Sequence, residues 1–117
     1  MKIPTKLLVA LFVCSLVASA IAEADRVQSS TDPYWSELIA SMDKMHMAMG
    51  AVVRTGNRDV DFVRLMLPHH QAAVDMAKTQ LLYGKDPQIR RLAQEIITDQ
   101  QSEIELMQLW LKQHHAN

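Results

Sequence analysis

Beyond residue 31 the apolar positions recur at helical spacing in three blocks separated by turn residues, and nowhere do they alternate as in a strand. The first block opens at Asp32-Pro33, where Asp32 can cap a helix and Pro33 can occupy its first position at no hydrogen-bonding cost. It is predicted to run from 33 to about 54. Gly56-Asn57 punctuates the chain, Asp59 is placed to cap a second helix, and Gly84 stops that helix after Tyr83. Asp86-Pro87 repeats the first start, and the pattern from Gln88 to about His114 stays helical without another Gly or Pro. Short connections imply antiparallel neighbours, so the expected fold is all-α: three main helices in an up-down-up bundle. Pro68 lies inside the second helix, where it removes a hydrogen bond and crowds the carbonyl of Arg64, so a kink costing about 3 kcal/mol or more is expected there.

The stretch before this pattern reads differently. Lys2 and Lys6 precede an apolar run from Leu7 to Val17 that ends in small residues, as a secretory signal does. Ala20-Ile21-Ala22 fits a cleavage site, with Ala18-Ser19-Ala20 as a second candidate. The run to Ala22 is shorter than the roughly 20 apolar residues of a membrane span. Residues 1–22 are therefore expected to be a signal peptide, 23–31 a flexible polar leader, and 32–117 the helical domain, periplasmic or secreted. Phe12-Val13 lacks the small residue that precedes a lipidated cysteine, so Cys14 departs with the signal. The mature chain then has no cysteine, and its core must hold without disulfides.

Charge narrows the function. From Glu23 onward 10 Lys and Arg stand against 13 Asp and Glu, a formal charge of −3, with no basic patch. Nucleic acid is not an expected partner, nor is a membrane after signal cleavage. Catalysis is not expected either. No Glu is followed three residues later by His, as di-iron bundles require, and neither His-Glu-x-x-His nor an activated Ser or Cys is present.

Methionine and histidine carry the remaining chemistry. At about 100° per residue, Phe62, Met66, His69, His70, Ala73, Met76 and Ala77 fall within an arc of roughly 120° on the second helix. Met42, Met45, His46 and Met49 share a narrow arc on the first helix, while Met47 points elsewhere. On the third, Ile96, Gln100, Glu103, Met107, Leu111 and His114 line up, so Glu103 needs a cation, a metal, or His69 or His70 as partner. A thioether is a neutral soft donor that selects Cu(I), and Ag(I) by the same argument, over calcium or magnesium; imidazole adds a borderline nitrogen. Methionines at helical spacing are more often core filler than ligands. Against that, the mature chain holds seven Met and one Phe, and three histidines share the Met-bearing faces. The reading is a copper-binding protein; the alternative is a metal-independent interaction or stress module with a Met-rich contact surface.

The string Asp61 to Met76, DFVRLMLPHHQAAVDM, strongly resembles the CopM-type family of exported copper-binding proteins, formerly a domain of unknown function. Gly84 to Pro87, Ile89 to Ala93, Gln100, Glu103-Ile104, Met107 and Trp110-Leu111 extend the likeness. The resemblance implies a ferritin-like helical fold and periplasmic copper binding in copper tolerance. Residue by residue it implies Met66, His69, His70 and Met76 as ligands from the central motif, Met107 from the later methionine, and Met42, Met45, His46 and Met49 from the upstream cluster. This chain carries one motif copy, so a site that two-copy relatives build internally would here call for a homodimer.

Overall fold

The structure, a computed structural model, describes residues 32–114; the expected signal peptide, the leader and His115 lie outside the described residues. Three helices and no strand occupy them: α1 (Pro33–Gly50), α2 (Arg58–Tyr83) and α3 (Pro87–His114). No helix among the described residues is long and apolar enough to cross a membrane. The domain is an all-α bundle, as the period of the apolar positions predicts.

The helix starts have local causes. Asp32 accepts the amide of Tyr34 at 3.1 Å, and Asp86 accepts those of Gln88 and Ile89 at 2.9 and 3.1 Å. The cap of α2 is Asn57, not Asp59: its side-chain oxygen accepts the amides of Asp59 and Val60 at 3.0 and 3.3 Å. Asp59 instead joins Asp61 in the first turn, where carboxylates favour the positive end of the helix dipole. The first helix ends at Gly50, about four residues before the expected 54. Asp61 explains the early stop. Its carboxylate accepts the Thr55 amide at 2.8 Å, the Thr55 hydroxyl at 2.6 Å and the Gly56 amide at 3.2 Å. That network pulls 55–56 toward the start of α2, and Gly56 makes the turn at φ +90°, open to glycine.

At the other end of α2, Gly84 is extended (φ −69°, ψ 145°) and donates its amide to the Gln80 carbonyl at 2.8 Å. The Arg90 guanidinium donates to the carbonyls of Leu81 and Gly84, so the first turn of α3 satisfies the open end of α2. From this clamp the two helices run antiparallel. Their backbones approach most closely of any helix pair here, because the buried positions on the helix edges that carry His70 and Glu103 are small: Val74, Ala77 and Ala93. α2 passes Pro68 without a break in its helix, and the proline ring lines a cleft against α1.

α1 contributes no fully buried residue. It packs antiparallel to α2 through polar links: Glu37 accepts the Thr79 hydroxyl at 3.2 Å and the Tyr83 hydroxyl at 2.8 Å, and Lys44 stands 3.6 Å from Asp75. Thr79 is the one buried polar side chain among the described residues, so its bond to a carboxylate counts for more than the Lys44 pair, whose lysine is 71 % exposed.

Two outcomes follow. Glu37→Ala is expected to cost about 1–2 kcal/mol, with the loss concentrated in α1; hydrogen exchange should show α1 amides opening faster while those of α2 and α3 keep their protection. The hydroxyl of Thr55, then the amides of Thr55 and Gly56, hold the Asp61 carboxyl below its ordinary value of 3.8. A lowered folded-state value contributes stability that is present above the ordinary value and lost as pH falls through the folded one. Asp61→Asn should therefore melt lower than wild type at neutral pH, with the gap closing as pH falls below the ordinary carboxylate value. A gap that persists in acid would contradict this account.

Candidate metal centre

The antiparallel register that starts at Arg90 brings His70 of α2 against Glu103 of α3. Nε2 of His70 lies 2.6 Å from the Glu103 carboxylate, and Nδ1 lies 3.0 Å from the Met66 carbonyl one turn earlier on its own helix. The carbonyl can only accept, so Nδ1 carries a proton. The 2.6 Å contact engages Nε2 directly with the carboxylate. Glu103 thus has the histidine partner expected for it, and it is His70 rather than His69. Its surroundings are wetter than the stripe on α3 suggests: the Glu103 side chain is 55 % exposed, while that of His70 is 16 % exposed.

One turn before His70 in α2 stands Met66, and one turn after Glu103 in the opposed α3 stands Met107. Both methionines are half-buried, and extending the antiparallel register from the His70–Glu103 contact puts them at matching levels of the two helices. Beyond them a groove of about 380 Å³ opens, lined by Asp59, Phe62, Val63, Leu106, Met107 and Trp110. Trp110 carries His114 stacked on its ring at 4.0 Å and 12°. His114 also turns Nδ1 to the Trp110 carbonyl at 2.8 Å, serving the end of α3. Toward the other end of the seam, one turn from Glu103, Gln100 has a buried amide oxygen without a hydrogen-bond partner.

The other expected ligands divide. His69 is exposed, its ring 5.9 Å from that of His70 and tilted by 59°. Met76 is half-buried two turns along. The stripe on α2 is wider than α3 can cover: the edge carrying His70 and buried Ala77 meets α3, whereas Phe62, at the other edge, is 61 % exposed. The first-helix cluster does not meet the face bearing Met66 and His70. Met45 lines a cleft of about 260 Å³ with Leu67, Pro68, Gln71 and Asp75, on the opposite side of α2, with Ile104 and Gln108 of α3 at its edge. Met42 and His46 are exposed, and Met49 is half-buried. Met47 points elsewhere, as its position on the wheel implies, at 71 % exposure.

Sequence reasoning placed Gln100 and Glu103 on the right face of α3. It missed the Phe62–Trp110 groove and the Glu37–Thr79–Tyr83 cluster. The i, i+4 pair Leu106 and Trp110 was a signal for the first; the second joins residues more than 40 positions apart and left none.

The donor set bears on which metal these residues could hold. Among the described residues no group of three or more His, Cys, Asp or Glu is placed to bind an ion. A metal bound here would have to draw on thioethers, and Met66 and Met107 each lie one helical turn from the His70–Glu103 contact, a donor type that suits a soft monovalent ion rather than calcium, magnesium or a carboxylate-held iron pair.

Comparison with known proteins gives a family and a short stretch of likeness. A segment of 49 residues, 42 % of this chain, is 43 % identical to an uncharacterized protein of Acanthamoeba polyphaga mimivirus and spans 32 % of that protein's length. The family model described as a domain of unknown function, DUF305, matches residues 18–116. This chain belongs to the DUF305 family.

Proposed function

We propose that this protein binds Cu(I), and Ag(I) by the same chemistry, at the α2–α3 seam, through Met66, Met107 and His70, with His69 and Met76 flanking. One observation carries the reading. The fully buried apolar positions are Val and Ala, and none of the seven methionines between Met42 and Met107 is buried. Core filler would sit where Val74 and Ala77 sit. The thioethers of Met66, Met76 and Met107 instead lie half-covered, within reach of an entering ion, and the chain's resemblance to the CopM-type family points the same way. Met42, Met45, His46 and Met49 form a second soft-donor group on α1, separate from the first. The role is sequestration or ferrying of copper outside the cytoplasm after the signal segment is removed, without turnover.

A second reading has its own support: Phe62, Leu106 and Leu109 are 61, 66 and 54 % exposed, as a metal-independent contact surface would require.

Titration of the mature chain with Cu(I) against a chromophoric chelator separates the two. Met66→Leu and Met107→Leu keep volume and remove the sulfur, and each should weaken binding at least about tenfold, the effect of losing roughly 1.4 kcal/mol of ligand energy. Saturation to about 100 times Kd should stabilise the wild type by about 2.7 kcal/mol and raise its Tm by several degrees. Equal affinity in all three proteins, or an unmoved Tm, would leave the contact-surface reading standing.

A further inference from the structure

The proposed site contains a feature that a simple ligand count does not explain. His70, its best-placed nitrogen donor, has both ring nitrogens engaged. Nδ1 is tied to the Met66 carbonyl of its own helix, 3.0 Å away, and Nε2 to the Glu103 carboxylate of the facing helix, 2.6 Å away. Neither nitrogen has a lone pair free in this arrangement.

The two bonds differ in kind. The first is a local anchor. A histidine that ligates a metal commonly donates its other ring N–H to a backbone carbonyl, which fixes the tautomer and the ring plane. The Met66 carbonyl does this for His70 and leaves Nε2 as the nitrogen that faces α3, on the side where Met107 stands one turn further along. The second bond occupies that nitrogen. Its acceptor is a flexible side chain, 55 % exposed, on a ring that is 16 % exposed. Of the three groups, the Glu103 head is the one free to swing into water.

We propose that Glu103 is a built-in competitor for the metal: its carboxylate holds Nε2 of His70, and loading of a soft monovalent ion requires it to withdraw. The inference rests on the copper-binding reading above and names how that same site is controlled. Cu(I) takes Nε2 and the thioethers; the Nε2 proton passes to solvent; the Nδ1–Met66 bond stays. A carboxylate oxygen is a hard donor with little to offer Cu(I). Being half in water, its charge attracts the ion only weakly from a distance. Its net effect is to stabilise the metal-free ring and set the affinity lower than the donors alone would give. A metal that accepts oxygen ligands, such as Zn(II), would gain nothing from its departure.

Glu103→Gln keeps the length and removes the charge, so the competing bond becomes an ordinary neutral one. In the chelator titration, with the full mature chain, the variant should bind Cu(I) about tenfold more tightly than wild type and Zn(II) no more tightly. Unchanged or weaker Cu(I) binding in Glu103→Gln, beside a wild type that binds, overturns the role of Glu103 and leaves the copper reading intact. A wild type that fails to bind Cu(I) overturns both. A second measurement needs no variant. In imidazole-nitrogen NMR of wild type loaded with Ag(I), Nε2 of His70 should take the metal-bound shift while Nδ1 keeps its proton. Metal on Nδ1, with Nε2–H still donated to Glu103, would instead make the carboxylate an orienting partner and refute the competition.

Discussion

The antiparallel register of α2 against α3 is the constraint on which the rest of this fold depends. It is set at one end by Arg90, whose guanidinium closes the carbonyls of Leu81 and Gly84, and maintained along the seam by Ala77, Ala93 and Val74, which let two backbones come close. A guanidinium donating to the last turn of a helix does two things at once: it satisfies orphan acceptors and places a positive charge at the negative end of the dipole. Slipping the register by one residue would break that clamp and rotate Glu103 away from His70. The polar contact at the middle of the seam is therefore a consequence of the hydrophobic and capping choices at its end, 13 residues before Glu103 in α3.

Small residues in the core have a second effect. A seam packed with Ala and Val is too narrow to take methionine, so the long side chains of α2 and α3 are displaced to its margins, where they are half-covered. This places thioethers in positions that water and ions can reach while the aliphatic stems stay shielded. α1 is held mainly by Glu37 and by cleft contacts on the far side of α2, and its own Met and His residues are consequently kept apart from Met66 and His70.

The pattern of apolar positions was sufficient for the three helices, the antiparallel order and two of the three caps, because capping and periodicity are local. Asp32 and Asp86 each sit directly before a proline at the first helical position, which leaves one solution. Asn57 and Asp59 compete for the same role, and the choice turned on Asp61, which is committed to Thr55 and Gly56 across the turn. Asp59 and Asp61 serve α2 best inside its first turn. The end of α1 was misjudged for the same reason, since a hydrogen bond between residues six apart in a turn has no periodic signature. On the site, the wheel put Met66, His69, His70 and Met76 within one arc of α2. It could not say that α3 would cover only one edge of that arc, nor that α1 would settle on the opposite side, because both depend on which apolar edge is narrow enough for close approach. The Glu103–histidine pair was legible as a demand, a carboxylate on an apolar stripe, but not as a choice between two adjacent histidines.

That choice has a physical basis. Adjacent residues on a helix are about 100° apart, so only one of His69 and His70 can face α3. His70 lies toward the side that carries Val74 and Ala77, the residues that bring α3 close; His69 lies toward Phe62, where the stripe is open to solvent. The helix carrying the pair therefore offers one imidazole that is anchored, shielded and charge-paired and another that is exposed and unconstrained by the seam. Residues of the same type in neighbouring positions are thereby given different chemistry: the anchored ring loses little conformational entropy when it binds but must shed its carboxylate, whereas the exposed ring has no carboxylate to shed but must be ordered. The energetic cost of occupying the seam is in this way divided between an electrostatic barrier at one histidine and an entropic one at the other.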